Sequence, residues 1–276
     1  LRTSKLDKSI LSNCNNLKII ARHGVGYDNI DYEYLKEKKI ALTITGTSNA
    51  VTVAEYVLTC FLSLARNINS SDKLVREGRF KEKKTLPDFF ELYKKKVLIC
   101  GFGRIGKAVA KRCLGFEADV HVYDPFVDDK EIIKANCIPT QKEEGLRIAD
   151  YVTLHLPLNQ NTQNFVSKHE LAYIKKTAIV VNASRGGIIN EEALIAALDN
   201  NQIQAAALDV FEKEPPQNDH PLYQFNNVLL SPHNSALTLE CRRRMSIEAA
   251  TSIVDYFLDK KKLNLDNLVN KNDIEI

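Results

Sequence analysis

The sequence predicts an α/β protein: a doubly wound parallel sheet with a second, smaller α/β domain. Three observations predict it. Apolar runs of strand length alternate with helical segments, the pattern of parallel strands joined by crossover helices. Seven of the 11 glycines sit in three short loops: Gly24 and Gly26; Gly101, Gly103 and Gly106; Gly186 and Gly187. Glycine permits close backbone approach to a ligand, so these loops are read as binding loops. The composition, 276 residues with 44% hydrophobic and 26% charged, is that of an ordinary soluble chain, long enough for one large core or two smaller ones.

The elements follow in order. Residues 17–21 read as a strand, 32–38 as a helix and 40–45 as a strand. A helix then runs from about residue 50 to 66, with Ser48 or Asn49 as its N-cap. It is apolar nearly all round, so we expect it to be buried. The run 97–100 is a buried strand, and 104–114 a helix carrying Ile105, Ala108, Val109 and Cys113 on one side. Strands follow at 120–123, 151–156, 178–183, 205–210 and 228–230. The last helix, 237–258, is expected to return to the first domain. The expected organisation is a first domain over 1–71, a nucleotide domain over 72–236 and a returning segment over 237–276.

Composition also excludes. With 38 basic and 35 acidic residues the net charge is +3, which offers no footing for nucleic acid. Runs such as 97–100 and 178–181 are far too short to span a membrane, and no signal peptide is visible. The six cysteines are scattered without a C-x-x-C pair. That argues against a zinc site or disulfide scaffold and fits a reducing cytosol, so we expect a cytoplasmic protein with no metal. The lysine-rich stretches 81–84, 94–96 and 260–262 read as solvated surface.

Gly101-Phe102-Gly103-Arg104-Ile105-Gly106 is G-x-G-x-x-G. It follows a strand and opens a helix, the context in which the motif binds a dinucleotide in a Rossmann-type fold. The first glycine makes the tight turn, the second leaves room for pyrophosphate, and the third lets helix and sheet pack closely. The Arg104 and Ile105 amides would face phosphate at the positive end of the helix. Asp124 ends the second strand of this block, near the spacing of an acid that binds the adenosine ribose. A plain turn residue before Pro125 is the alternative. No Arg or Lys adjoins it, so NAD is favoured over NADP.

Arg185, Glu214 and His233 lie near the carboxyl ends of later strands, where open α/β sheets bind ligands. A guanidinium holds a carboxylate through two parallel hydrogen bonds. A histidine paired with a carboxylate is oriented to carry a proton near neutral pH. Such a set suits binding a 2-oxo acid and protonating its oxygen as hydride arrives from NADH.

Six stretches now stand in order: Arg-His-Gly-Val-Gly-Tyr-Asp-Asn-Ile-Asp at 22–31, the 101–106 loop, His-Leu-Pro-Leu at 155–158, Asn-Ala-Ser-Arg-Gly-Gly at 182–187, Ala-Leu-Asp-Val-Phe-Glu at 207–212 with Glu214-Pro215, and Ser-Pro-His at 231–233. As a set covering nearly the whole chain, they resemble the NAD-dependent D-isomer-specific 2-hydroxyacid dehydrogenases, which include phosphoglycerate dehydrogenase and glyoxylate/hydroxypyruvate reductase. The resemblance implies a Rossmann-type NAD domain beside a flavodoxin-like domain. It implies hydride transfer between nicotinamide and C2 of a small D-2-hydroxy or 2-oxo acid. Arg185 is then the substrate-binding catalytic arginine, His233 the acid/base and Glu214 its partner. Asp209 receives the nicotinamide carboxamide, and the Val25 and Gly26 amides cradle the substrate carboxylate. Ala183 and Ser184 line the nicotinamide side; His155, Leu156 and Pro157 line the dinucleotide edge. The segment 67–93 corresponds to the region through which relatives form a two-fold dimer, so a homodimer is expected.

The alternative is a non-catalytic, NAD-sensing corepressor-like relative, which keeps the same three residues. Formate dehydrogenase, another relative, pairs its histidine with glutamine, and Glu214 disfavours it. Three departures stand out. Glu117-Ala118-Asp119 occupies a bend where glycine is common, and Asn234-Ser235 replaces an apolar residue and glycine. Residues 1–4 look like the end of a family strand, and the one methionine is Met245. A strand and helix are therefore expected ahead of Leu1, and their absence is expected to loosen the first domain.

Overall fold

The computed structural model describes residues 4–274. The strand end expected at residues 1–4 lies, Ser4 apart, outside the described residues. In chain order the elements are α1 (Lys8–Leu11), β1 (Ile19–Arg22), α2 (Tyr32–Glu37), β2 (Ala41–Ile44), α3 (Ala50–Ala65), α4 (Ile68–Arg76), β3 (Lys96–Cys100) and α5 (Arg104–Gly115). Then come β4 (Asp119–Tyr123), α6 (Asp129–Lys134), β5 (Ile138–Pro139), α7 (Lys142–Ile148), β6 (Tyr151–Leu154) and α8 (Lys168–Leu171). The chain closes with β7 (Ile179–Asn182), α9 (Glu191–Asp199), β8 (Ala205–Leu208), β9 (Val228–Leu230) and α10 (Leu239–Leu258).

The chain divides into two compact units: Leu1–Thr52 with Ala236–Ile276, and Val53–Ser235. The division falls inside α3, whereas the sequence reading placed that whole helix with the first domain. From Val53 onward α3 buries Ala54, Val57 and Phe61, and the Phe61 ring meets Tyr151 of β6 edge-on at 5.0 Å.

In the larger unit seven parallel strands run in the order β5-β4-β3-β6-β7-β8-β9. The chain steps outward from β3 to β4 and β5, then returns to lay β6 on the other side of β3. The β3/β6 boundary is thus the switch point where such sheets open a crevice at the strands' carboxyl ends. Strands β6, β7 and β8 are buried at every residue, as expected for a sheet covered on both faces. Their core joins Leu98, Val152, Leu154, Val180, Leu194 and Leu208. The edge strand β5 is two residues long, too short to give a periodic signal, and its proline is tolerated at an edge.

In the smaller unit β1 and β2 pair in parallel, Ile19 opposite Ala41 and Arg22 opposite Ile44. Alternation splits their side chains between two faces. Ile20 and Leu42 join Leu11, Ile30, Leu35 and Ile40; Ile19 and Ala41 join Leu263 and Leu268. Helix α10 packs on β1. Neither expected N-cap serves α3: the Ser48 hydroxyl donates to Glu248, and Asn49 Oδ1 is buried without a partner. Nor is α3 buried all round, since Val51, Glu55 and Thr59 form an exposed stripe. Among the described residues no single helix is long and apolar enough to cross a membrane.

Candidate active site

At the switch point, the 101–106 loop is shaped by contacts a side chain would break. Gly101 has φ +96°, and a Cβ there would lie 2.5 Å from the His155 carbonyl oxygen. A Cβ on Gly106 would lie 2.0 Å from the Gly101 oxygen. At Gly103, by contrast, a Cβ would meet nothing within 4 Å, so that side of the loop is open. Gly103 also starts α5 without a capping side chain, leaving the helix's positive end available to an anion. Asp124 Oδ2 accepts the Phe102 amide at 2.7 Å and Oδ1 the Phe126 amide at 3.0 Å. These bonds tie the end of β4 to the glycine loop and leave lone pairs for hydroxyl donors.

His155 follows β6. Its Nε2 lies 3.0 Å from Thr153 Oγ1, and its Nδ1 is buried without a partner. Burial pushes its pKa down to about 3, so the ring is neutral at physiological pH. Leu156 packs against the sheet core, and the Pro157 carbonyl accepts Thr162 Oγ1 at 2.5 Å. An open cradle over a helix start, a carboxylate at the neighbouring strand end and an orphaned imidazole nitrogen fit a dinucleotide such as NAD.

Arg185 stands on a turn built by Asn182, the buried last residue of β7. Asn182 Oδ1 accepts the Ser184 amide at 3.1 Å and the Ser184 hydroxyl at 2.8 Å, while Nδ2 donates to the Arg185 carbonyl at 2.9 Å. The guanidinium Nη1 donates to the Ser184 carbonyl at 2.6 Å. Ala183 is buried and Ser184 half-buried. Gly186 holds the turn against the next loop: a Cβ there would lie 1.8 Å from the Phe211 oxygen.

His233 Nδ1 lies 2.8 Å from Glu214 Oε2, with both side chains partly open to solvent at 42% and 38%. Glu214 Oε1 accepts the Phe211 amide at 3.2 Å. Nδ1 is thus occupied, and Nε2 remains to exchange a proton with a ligand. His233 adopts φ +52°, which costs a non-glycine residue about 1–3 kcal/mol. Asp209 holds this conformation. Its carboxylate is fully buried; Oδ1 accepts Ser231 Oγ at 2.5 Å and the Asn234 amide at 2.8 Å, and Oδ2 the Ser235 amide at 2.9 Å. Its carbonyl accepts the His233 amide at 2.8 Å. Three of roughly four acceptor sites on the carboxylate are therefore committed to the His233 loop.

The remaining histidines lie elsewhere in the fold. His121 sits on β4 beside Thr140, its pKa lowered by burial. His169 stacks edge-on against Tyr173. His220 caps a short 3-10 helix and lies 3.2 Å from Glu191. In the smaller unit His23 Nε2 lies 3.4 Å from the Arg242 carbonyl. Val25 and Gly26 follow β1 in a half-buried loop. Among the described residues no cluster of His, Cys, Asp and Glu is arranged to hold a metal ion.

Two supporting groups carried no sequence assignment. Asn182 ends an otherwise apolar strand, and that contrast was the available signal. Tyr56 of α3 places its hydroxyl 2.5 Å from Ser231 Oγ; nothing in the helical pattern marks it.

Residues 58–235 match the NAD binding domain of the D-isomer specific 2-hydroxyacid dehydrogenases. A D-3-phosphoglycerate dehydrogenase of Archaeoglobus fulgidus is 37% identical over 272 residues, 99% of this chain and 51% of the relative. The chain thus spans about half the length of that relative. A hydroxypyruvate reductase of Thermotoga maritima is 38% identical over 253 residues, 91% of this chain and 81% of its own. The crystal structure of D-lactate dehydrogenase from Aquifex aeolicus, complexed with NAD and lactic acid, superposes with a TM-score of 0.87 at 26% identity, covering 96% of this chain and 84% of that one. The seven-stranded sheet, the glycine cradle and these likenesses together show that the chain belongs to the D-isomer specific 2-hydroxyacid dehydrogenase family.

Proposed function

We propose that the chain is an NAD-dependent oxidoreductase interconverting a small 2-oxo acid and its D-2-hydroxy acid. The observation that carries this reading is the His233–Glu214 pair at 2.8 Å, on a loop anchored by Asp209 and beside the braced Arg185 turn. NAD, when bound along the 101–106 loop with its ribose at Asp124, supplies the hydride acceptor or donor. Arg185 holds the substrate carboxylate and polarises the neighbouring carbonyl. The Val25 and Gly26 amides offer the carboxylate further hydrogen bonds. His233 Nε2 gives the carbonyl oxygen its proton in reduction and removes it in oxidation. Glu214, 2.8 Å from Nδ1, fixes the ring's orientation so that Nε2 faces the substrate. Asp209 supports His233 from below and, in this reading, receives the nicotinamide amide. Ala183, Ser184, His155, Leu156 and Pro157 enclose the dinucleotide, and exclusion of water strengthens each of these polar contacts.

Glyoxylate and hydroxypyruvate, the acids named in the relatives' reductases, and phosphohydroxypyruvate, the 2-oxo acid formed when phosphoglycerate is oxidised, make up the panel to test. Turnover of NADH with at least one of these acids supports the enzyme reading. Tight NADH binding with no turnover on any acid points instead to an NAD sensor. Asp124 without an adjacent cation predicts a preference for NADH over NADPH. The segment 67–93 exposes Ile68, Val75, Phe80, Phe89 and Tyr93, and C2 dimers are the commonest oligomers. We therefore include a homodimer in the proposal; a monomer in sedimentation at micromolar concentration refutes it. All six cysteines are unpaired, which supports a reducing, cytoplasmic location.

A further inference from the structure

We propose that Arg22 and Thr45 are positioning residues that turn the Val25 and Gly26 amides toward a carboxylate and hold them there. This rests on the reading of those amides as a carboxylate cradle. The geometry lies within the smaller unit. Arg22 Nη1 donates to the His23 carbonyl at 2.7 Å and Nε to the Gly26 carbonyl at 2.8 Å. Thr45 works from the other side: its Oγ1 accepts the Gly24 amide at 2.8 Å, and its own amide donates to the Gly24 carbonyl at 3.0 Å.

In a trans peptide the N–H and C=O point in opposite directions. With the Gly24 carbonyl drawn to Thr45, the Val25 N–H faces away from it. The carbonyls of residues 23, 24 and 26 are all committed, which fixes the peptides on either side of the Val25–Gly26 link. Among the described residues neither the Val25 nor the Gly26 N–H has a partner. Two successive free amides form a concavity suited to an anion.

Arg22 also brings its charge to the loop. A Cβ on Gly24, which has φ +138°, would lie 3.0 Å from Arg22 Nη1, so the cation sits directly against the backbone. Thr45 is fully buried, so it serves the cradle as a strut without touching substrate. A lysine has no planar fork with which to reach two carbonyls at once. Arg22 therefore acts by shape and by charge together.

The test compares a 2-oxo acid with its uncharged 2-oxo amide as substrates in wild type, Arg22→Gln, Arg22→Lys, Thr45→Val and Thr45→Ser. The wild type is expected to have a much lower KM for the acid. Arg22→Gln should raise the KM for the acid by about tenfold or more, given the strength of charge-assisted bonds, with the amide's KM and the NADH affinity nearly unchanged. Arg22→Lys should recover only part of the loss. Thr45→Val should raise the acid KM, and Thr45→Ser, which keeps the hydroxyl, should restore it. The acid-to-amide ratio is internal to each variant, so a smaller folded fraction lowers turnover without moving it. A wild type that prefers the acid, with Arg22→Gln and Thr45→Val keeping the full preference, overturns the proposal and leaves the cradle standing. A wild type that treats acid and amide alike overturns the cradle reading itself.

Discussion

Gly186→Ala is the sharpest perturbation the proposed site offers. The new methyl carbon would start 1.8 Å from the Phe211 oxygen, 2.2 Å from its carbonyl carbon and 2.7 Å from the Glu212 nitrogen. Real Cβ atoms do not approach closer than 3.0 Å, so about 1.2 Å of movement is required between two stretches of backbone. Neither side yields easily. The Arg185 turn is held by Asn182, and the Glu212 amide donates to Glu191 at 2.6 Å. Whichever side moves carries a proposed catalytic group, since Arg185 precedes Gly186 and Glu214 follows Phe211 by three residues. A misplacement of about 1 Å costs on the order of 100-fold in rate. We expect kcat/KM for the 2-oxo acid to fall about 100-fold, while NADH affinity, measured by fluorescence titration and used to count folded sites, stays within about threefold. Gly115→Ala, whose Cβ would meet nothing within 4 Å, is the control. A Gly186→Ala enzyme with wild-type kcat/KM would refute the claim that this contact sets the site's geometry.

Three further outcomes are expected. Glu117 sits at φ +57° after α5, and the Ala118 amide reaches back to Cys113 and its own to Leu114, the helix stop that favours glycine. Glu117→Gly should stabilise by about 0.5–1 kcal/mol, read as a Tm rise; a lower Tm contradicts it. His155, held near pKa 3 by burial, stays neutral when folded, but takes up a proton below about pH 6.5 when unfolded. Stability should therefore fall as pH drops from about 6.5 toward 3, by up to about 1.4 kcal/mol per pH unit. His155→Gln should flatten that slope in urea melts between about pH 6.5 and 4.5, leaving the smaller contribution of His121; an unchanged slope counts against the burial of a neutral ring. Tyr56→Phe should cost about 1 kcal/mol and lower kcat several-fold with unchanged NADH affinity, because Ser231 loses the partner that steadies it on Asp209. An unchanged kcat removes Tyr56 from the support of His233.

The larger sheet was legible because its strands are continuous apolar runs and its glycines cluster where backbone meets backbone. The 101–106 loop shows why: Gly101 and Gly106 face carbonyl oxygens at distances no side chain allows, so the spacing in sequence records a spatial constraint. The bend at Glu117 was legible as a departure from glycine, and the positive φ supplies its physical meaning. Other features were not legible. A two-residue edge strand has no period. The boundary inside α3 depends on what the helix packs against, not on its composition. The hydrogen bonds of Asp209, Asn182 and Tyr56 join residues far apart in sequence, or reach from a side chain to a neighbouring backbone. A linear pattern marks the residue but not the direction in which its oxygen points. The expected N-caps failed for the same reason, because Ser48 finds a stronger acceptor in Glu248 across the smaller unit.

The most direct test of the account follows one hydrogen atom. NADH carrying deuterium at both C4 positions is supplied with hydroxypyruvate, and the product is resolved by chiral chromatography and mass spectrometry. The account predicts a D-2-hydroxy acid with one deuterium at C2, formed by wild type and nearly abolished in His233→Ala and Arg185→Gln with NADH binding retained. Label-free product, the L-isomer, or undiminished turnover in both variants would contradict it.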